Sequence, residues 1–214
     1  MKIVLVRHAQ CLGNVDELAY CKTPDHALPL TSQGEREARA AGPAVRALLD
    51  PDPFAVYVSP YLRTRKTLEL MGLADRAERI VPEPRLREQD WGNLQDPVAQ
   101  RSIKRERDAF GHFFFRLPAG ESGADVDDRV AAFVSDLALS VAHGHHPKTI
   151  LVVSHGLSIR LLCRRILSWS VDLFESLTNP GTCEHRVLHR IENRWSLDRP
   201  FAQWRDSPDG STQI

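Results

Sequence analysis

Ile3-Val4-Leu5-Val6 runs straight into Arg7-His8, Ala55-Val56-Tyr57-Val58 into Ser59-Pro60-Tyr61-Leu62-Arg63, and Ile150-Leu151-Val152-Val153 into Ser154-His155-Gly156. Each is a short apolar run of buried-strand type, rich in β-branched residues, and each ends on charged or polar side chains. In an open α/β sheet, ligands gather beyond the carboxyl ends of the strands. If these three strands are parallel neighbours, Arg7, His8, Arg63 and His155 converge on one spot. Two arginines and two histidines repel one another there unless an anion sits among them. A phosphoryl group fits, because Arg offers its oxygens a planar fork of donors. Helices starting after Ser59-Pro60 and after Gly156 add backbone N–H groups, and Gly156 lets the backbone come close.

Outward from these strands the chain alternates between helical and strand patterns. Ser32-x-x-Glu35 reads as a capping box. The helix behind it carries Ala38, Ala41, Val45, Leu48 and Leu49 on one face, kinks at Gly42-Pro43 and ends at Asp50-Pro51-Asp52-Pro53. Leu62–Met71 reads as a helix and Arg79–Val81 as a short strand. Pro97–Arg116 starts helical and then turns aromatic. Ser122-x-x-Asp125 resembles a capping box with Asp in place of Glu, and Val126, Val130, Phe133, Val134, Leu137 and Val141 keep helical spacing behind it. Leu157–Leu167 and Asp172–Leu177 read as helices, and His185–Ile191 alternates as a late strand. The fold class expected is α/β, a three-layer α/β/α arrangement around a mostly parallel central sheet. No repeat or linker divides the 214 residues. The expectation is one domain over 1–214, with a lid or insert around 97–118.

Lys plus Arg and Asp plus Glu both number 28, so bulk charge does not hold this chain on nucleic acid or an anionic membrane. The 42% apolar and 26% charged shares rule out global disorder. The apolar run after Lys2 is too short for a signal-peptide core, and Cys11, Cys21, Cys163 and Cys183 form no CxxC pair. Both features predict a cytoplasmic chain with free thiols. Cys11 stands beside the candidate site, which predicts that its oxidation dampens activity.

A histidine that attacks phosphorus must be neutral, with its far nitrogen protonated and held by an acceptor. The leaving oxygen then needs a proton donor. Glu88, in Leu86-Arg87-Glu88-Gln89-Asp90-Trp91-Gly92, is the candidate. Glu121 and Asp125 are the rival acids, with Asp125 assigned to helix capping.

Arg7-His8-Ala9-Gln10 with Asn14, Leu30-Thr31-x-x-Gly34, Ser59-Pro60-x-x-Arg63-x-x-x-Thr67, Leu86-Arg87-Glu88 and Ser154-His155-Gly156 together resemble the histidine phosphatase superfamily, also called phosphoglycerate-mutase-like. The resemblance runs from Ile3 to about Ile191. Thr23-Pro24-Asp25-His26, Glu88–Asn93 and Phe113–Phe115 further resemble a branch that includes plant and fungal phosphoglycerate-mutase-like proteins. The resemblance implies a phosphomonoesterase in which His8 is the nucleophile and forms a phosphohistidine. Arg7, Arg63 and His155 bind the phosphoryl oxygens, Asn14 adds a hydrogen bond, and Glu88 is the general acid and then the base. It implies no metal and no other cofactor. Gly156, Gln10 and His26 complete the expected substrate-binding set. Ala9-Gln10 departs from the family's usual Gly-Glu or Gly-Ser, which bears on the substrate contact at Gln10.

Other features read more plainly. His143, His145 and His146 form a solvated loop cluster, Gln100–Arg107 a solvated basic helix face or else the charge of a lid, and Phe110 and Phe113–Phe115 packing. A cofactor-dependent phosphoglycerate mutase, and a catalytically silent phosphate- or protein-binding module on the same scaffold, are the alternative functions. The partner expected is a small phosphorylated substrate, with no nucleic acid and no membrane, and a homodimer is left open.

Overall fold

The computed structural model describes residues 1–93 and 95–204; Leu94 and residues 205–214 of the expected 1–214 domain lie outside the described residues. The chain opens with β1 (Lys2–Arg7), the one-turn helices α1 (Leu12–Val15) and α2 (Ala19–Lys22), and the long helix α3 (Ser32–Leu49). It continues with β2 (Phe54–Val58), α4 (Leu62–Leu70), β3 (Arg79–Pro82), α5 (Pro97–Phe110) and α6 (Gly123–Ala142). It closes with β4 (Thr149–Ser154), α7 (Gly156–Leu167), α8 (Val171–Ser176), β5 (His185–Ile191) and β6 (Arg194–Leu197).

The six strands form one sheet in the order β3-β2-β4-β1-β5-β6. β3, β2, β4 and β1 are mutually parallel, while β5 runs antiparallel to β1 and β6 antiparallel to β5. Strand alternation sends successive side chains to opposite faces. Ile3, Leu5, Ala55, Tyr57, Ile150 and Val152 meet Val130 and Phe133 of α6 and Leu161 and Leu162 of α7. Val4, Val6, Val56, Val58, Leu151 and Val153 meet Val45 and Leu49 of α3 and Leu68 of α4. Both faces of the central strands are therefore dry, and the architecture is the three-layer α/β/α sandwich. No described helix is long and apolar enough to cross a membrane.

Local differences from the sequence expectation have physical reasons. Helix α3 is capped by Thr31, whose hydroxyl accepts from the Gly34 N–H at 3.0 Å, so Ser32 is already helical and the Ser32–Glu35 box does not form. The helix runs unbroken through Pro43, held by a buried face of Ala38, Gly42, Val45 and Leu49. Gly34 is required by close approach: a Cβ there would lie 1.9 Å from the Gln10 carbonyl oxygen. The missing side chain lets the start of α3 press on the loop that leaves β1. Strand β6 follows a tight hairpin at Glu192-Asn193, both at positive φ as such a turn demands. Of the aromatic segment, Phe113 enters the core, whereas Phe110 is 69% and Phe114 66% exposed.

Candidate active site

The register of the sheet builds the site. Arg7 pairs with Ser154, and Val58 with Val153, so the three strands end level with one another. The ladder continues one step past the strands, with the His8 N–H donating to the Ser154 carbonyl at 2.9 Å and the Ser59 N–H to Val153 at 3.0 Å. His8 and His155 are thereby neighbours, their ring centroids 5.2 Å apart and nearly edge-on.

His8 is 4% exposed. Its Nδ1 lies 2.7 Å from the Ala9 carbonyl oxygen. A carbonyl only accepts, so the proton resides on Nδ1 and the lone pair on Nε2. Burial, reinforced by the Arg63 and Arg7 guanidiniums, holds the imidazole pKa well below its ordinary 6.5. His155 is fully buried, and its Nε2 pairs with the Ser59 hydroxyl at 2.8 Å. Its Nδ1 has no protein partner among the described residues. Burial, Arg63 and His8 push its pKa down in the same way.

Both histidines thus stay neutral where an unfolded imidazole takes up a proton. Above about pH 6.5 neither state is charged and the full stability is present; below it the unfolded chain gains protons that the folded chain does not. The melting temperature is expected to decline as pH falls from about 7 to 5. A melting temperature that stays flat over that range contradicts neutral buried imidazoles.

Arg7, Asn14, His26, Arg63 and Glu88 line one cavity of about 570 Å³ together with His8. Arg7 is anchored by its Nη1 donating to the Pro180 carbonyl at 2.6 Å. Arg63 sits one helical turn before Thr67, whose hydroxyl donates to the Arg63 carbonyl and accepts from the Ala9 N–H at 2.9 Å. This ties the β2–α4 motif to the loop that carries His8. The Asn14 Oδ1 accepts from the Cys11 N–H at 2.9 Å and the Cys11 thiol at 3.2 Å. His26 stands edge-on to Tyr61.

Asp25, from the segment Thr23–His26, holds Arg63: its carboxylate and its own carbonyl both accept from Nη1 at 2.7 Å. The contact neutralises one of the two charges expected to bind phosphate. Asp25→Asn keeps an acceptor oxygen and removes the charge, so orthophosphate is expected to inhibit about fivefold more tightly in that variant. Inhibition constants measured at one ionic strength check this, and equal constants contradict it.

Glu88 is placed by its backbone. The Leu86 carbonyl accepts from the Ser154 hydroxyl at 2.7 Å and the Arg87 carbonyl from the Ser158 hydroxyl at 2.7 Å. Arg129 of α6 donates to the carbonyls of Arg85, Arg87 and Glu88. The Glu88 carboxylate accepts only from the Gln89 N–H at 3.1 Å and, at 3.4 Å, from Ser158, so it carries no ion pair among the described residues. Glu121 is different. Arg87, Arg129 and the Asp90 N–H all hold it, and they keep its carboxyl below the usual range against burial. Asp125 caps α6 and bonds Arg116, which brings its pKa down to about 2. Neither rival acid lines the cavity.

Three expected contacts lie elsewhere. Gln10 is outside the cavity wall: its side-chain oxygen accepts from Thr31 at 2.7 Å at the start of α3. Gly156 makes its close approach to Asn179, whose side chain a Cβ would meet at 2.6 Å. His155 lies behind His8 rather than in the wall. Cys11 is fully buried, and burial raises its thiol pKa, which disfavours the reactive thiolate and the expected oxidation. His146 leaves the expected loop cluster to bond the Tyr57 hydroxyl at 2.8 Å. Among the described residues no three His, Cys, Asp or Glu side chains gather as a metal site.

The wall also contains residues that the sequence reading left out. Arg107, read as part of a solvated basic face or else the charge of a lid, turns inward from α5 and lines the cavity with Gln100 and Trp91. Arg160 of α7 lines it too, joined through its Nε to the Asn179 side chain at 2.9 Å. A signal for Arg160 was present, since it lies four residues after Gly156 and so on the same helix face.

Comparison with known proteins agrees with this geometry. The sequence profile of the histidine phosphatase superfamily (branch 1) matches residues 3–203. The phosphoglycerate mutase-like protein AT74H of Arabidopsis thaliana is 41% identical over 205 residues, covering 87% of this chain and 73% of that protein. The broad-range acid phosphatase DET1 of Saccharomyces cerevisiae is 38% identical over 136 residues, covering 60% of this chain and 40% of that protein. Among solved structures, a mycobacterial glucosyl-3-phosphoglycerate phosphatase superposes with a TM-score of 0.73 at 24% identity, covering 92% of this chain and 96% of that one. The alpha-ribazole phosphatase of Shigella flexneri gives 0.74 at 21% identity, covering 94% and 96%. With its profile matched almost end to end and its strand-end residues gathered on one cavity, this chain belongs to the histidine phosphatase superfamily, branch 1.

Proposed function

We propose that the chain is a phosphomonoesterase that works through a phosphohistidine on His8. The observation that carries this reading is the tautomer of His8: Nδ1–H is spent on the Ala9 carbonyl, which leaves Nε2 as an uncharged nucleophile flanked by Arg7 and Arg63. In the first step Nε2 attacks phosphorus in line, the bond from phosphorus to the ester oxygen breaks, and protonated Glu88 gives its proton to that oxygen. In the second step the Glu88 carboxylate takes a proton from water, the water oxygen bonds to phosphorus, and the P–N bond breaks. Nε2 recovers its lone pair and Glu88 its proton. Arg7, Arg63 and the Asn14 amide bind the phosphoryl oxygens. A Ser59 hydroxyl donating to His155 Nε2 leaves the His155 proton on Nδ1, so the ring packed edge-on against His8 is also uncharged. Donors fixed before reaction contribute on the order of 3 kcal/mol each to such a transition state.

In this reading residues 97–118 act as a lid over a single catalytic domain, because α5 sends Gln100 and Arg107 into the cavity wall. The acid phosphatase relative and the phosphatase fold neighbours support hydrolysis as the reaction class. The test is a screen of phosphomonoesters with His8→Ala as the blank, with interconversion of phosphoglycerate isomers as a parallel arm. Hydrolysis above the blank is expected. Isomer conversion without net phosphate release makes the chain a mutase, and phosphate binding without either makes it a silent module.

A further inference from the structure

Gly156 was expected among the substrate contacts, yet it does not line the cavity, and Asn179 does. A Cβ on Gly156 would lie 2.6 Å from the Asn179 Cγ and 3.0 Å from its Nδ2. The missing side chain at the start of α7 therefore makes room for the Asn179 amide. The chain between α8 and β5 carries that amide past the end of β1. There the Cys183 N–H donates to the His8 carbonyl at 3.3 Å and the Arg7 N–H to the Glu184 carbonyl at 3.1 Å. The Pro180 carbonyl accepts from Arg7 Nη1 at 2.6 Å. Asn179 thus precedes the residue that holds Arg7 and packs on the residue that follows His155.

Arg160 settles which way the amide faces. Its Nε donates to the Asn179 Oδ1 at 2.9 Å. A guanidinium cannot accept, so the oxygen is turned to Arg160 and the NH2 group away from it. Arg160, 1% exposed, is itself fixed by the carbonyls of Phe174 and Leu177 and by the Phe174 ring. The Asn179 Nδ2 has no partner among the described residues. Unlike Arg7 Nε and His155 Nδ1, it is not sealed off from its surroundings. It is an oriented, unspent and reachable pair of donors on the wall of the cavity that holds His8. A hydrogen bond to a charged oxygen is stronger than one to a neutral oxygen, and a guanidinium bonded to Oδ1 polarises the amide further.

We infer that Asn179 is a further substrate-binding residue, its Nδ2 donating to an oxygen of the phosphoryl group beside Arg7. This deepens the phosphomonoesterase reading and rests on it. Asn179 supplies the donor expected of Gly156, and the glycine serves to admit it.

Orthophosphate bound to the unaltered protein is the probe. Side-chain amide pairs are followed in 1H–15N correlation spectra, with the Asn179 pair assigned by triple-resonance connectivities, so the measurement does not depend on a variant that folds. On titration one proton of that pair is expected to move downfield, along a curve whose midpoint equals the inhibition constant. In Asn179→Ala the inhibition constant is expected to rise at least about fivefold. Asn179→Asp keeps an acceptor for Arg160 and replaces the donors with a charge, so it is expected to bind phosphate more weakly still. An amide pair that stays in place while phosphate binds overturns the inference. So does an Asn179→Asp variant that binds phosphate as the unaltered protein does, because Asn179 is then only the anchor of Arg160. An unaltered protein that binds no orthophosphate overturns the phosphomonoesterase reading together with this one, a result distinct from binding with an unmoved amide.

Discussion

His8→Ala is expected to lose at least about 10³-fold in kcat on every phosphomonoester the protein accepts. The cavity keeps its shape in that variant, because the backbone N–H of His8 still reaches Ser154 and the strands around it are unchanged. Arg7 and Arg63 still bind the phosphoryl group, so orthophosphate is expected to inhibit with a constant near that of the unaltered protein. What is lost is the lone pair held at Nε2 by the bond from Nδ1 to Ala9. Water entering the space left by the imidazole has no pre-aligned partner, and the reaction returns to a direct displacement without a covalent intermediate. The check is steady-state kinetics beside phosphate inhibition. Retention of more than a tenth of the turnover removes His8 from the nucleophile role.

Glu88→Gln is expected to lower kcat/KM, which reports the first step, about 10²–10⁴-fold on alkyl phosphates and far less on phenolic esters. An alkoxide leaves poorly without a proton, whereas a phenoxide leaves unaided. Gln is nearly isosteric and still accepts from the Gln89 N–H and Ser158, so the segment pinned by Arg129, Ser154 and Ser158 stays in place. With phenolic esters the second step becomes limiting, since Gln cannot take the proton from water. A burst of phenol followed by slow turnover is the expected trace. Equal losses on both ester classes contradict the acid role, and Glu121, locked by Arg87 and Arg129, is not placed to take it over.

The strand ends were legible because the information is local. A short apolar run followed at once by Arg7-His8, Ser59 or Ser154-His155 needs only a parallel register to converge, and the sheet order β2-β4-β1 supplies it. The position of Glu88 was not legible, because it depends on Arg129 and Ser158, both tens of residues further along the chain. Arg107 was misread for a related reason. Arg101, Lys104, Arg105 and Arg107 are alike in sequence, and only the docking of α5 decides that Arg107 is the one buried. Gln10 was expected at the substrate from the family resemblance, yet the close approach of Gly34 to the Gln10 carbonyl brings Thr31 near enough to bond its side chain. Strand β6 escaped because the β5–β6 turn uses Glu192-Asn193 at positive φ without a glycine.

The central claim is that phosphorus becomes bonded to His8. Mixing enzyme with a phosphorus-labelled substrate, quenching in base where phosphoramidates survive, and mapping the label by peptide sequencing tests it directly. The account predicts an alkali-stable, acid-labile label on His8 in the peptide beginning at Lys2 or shortly after. A label on any other residue, or full turnover with no trapped label at any quench time, contradicts it.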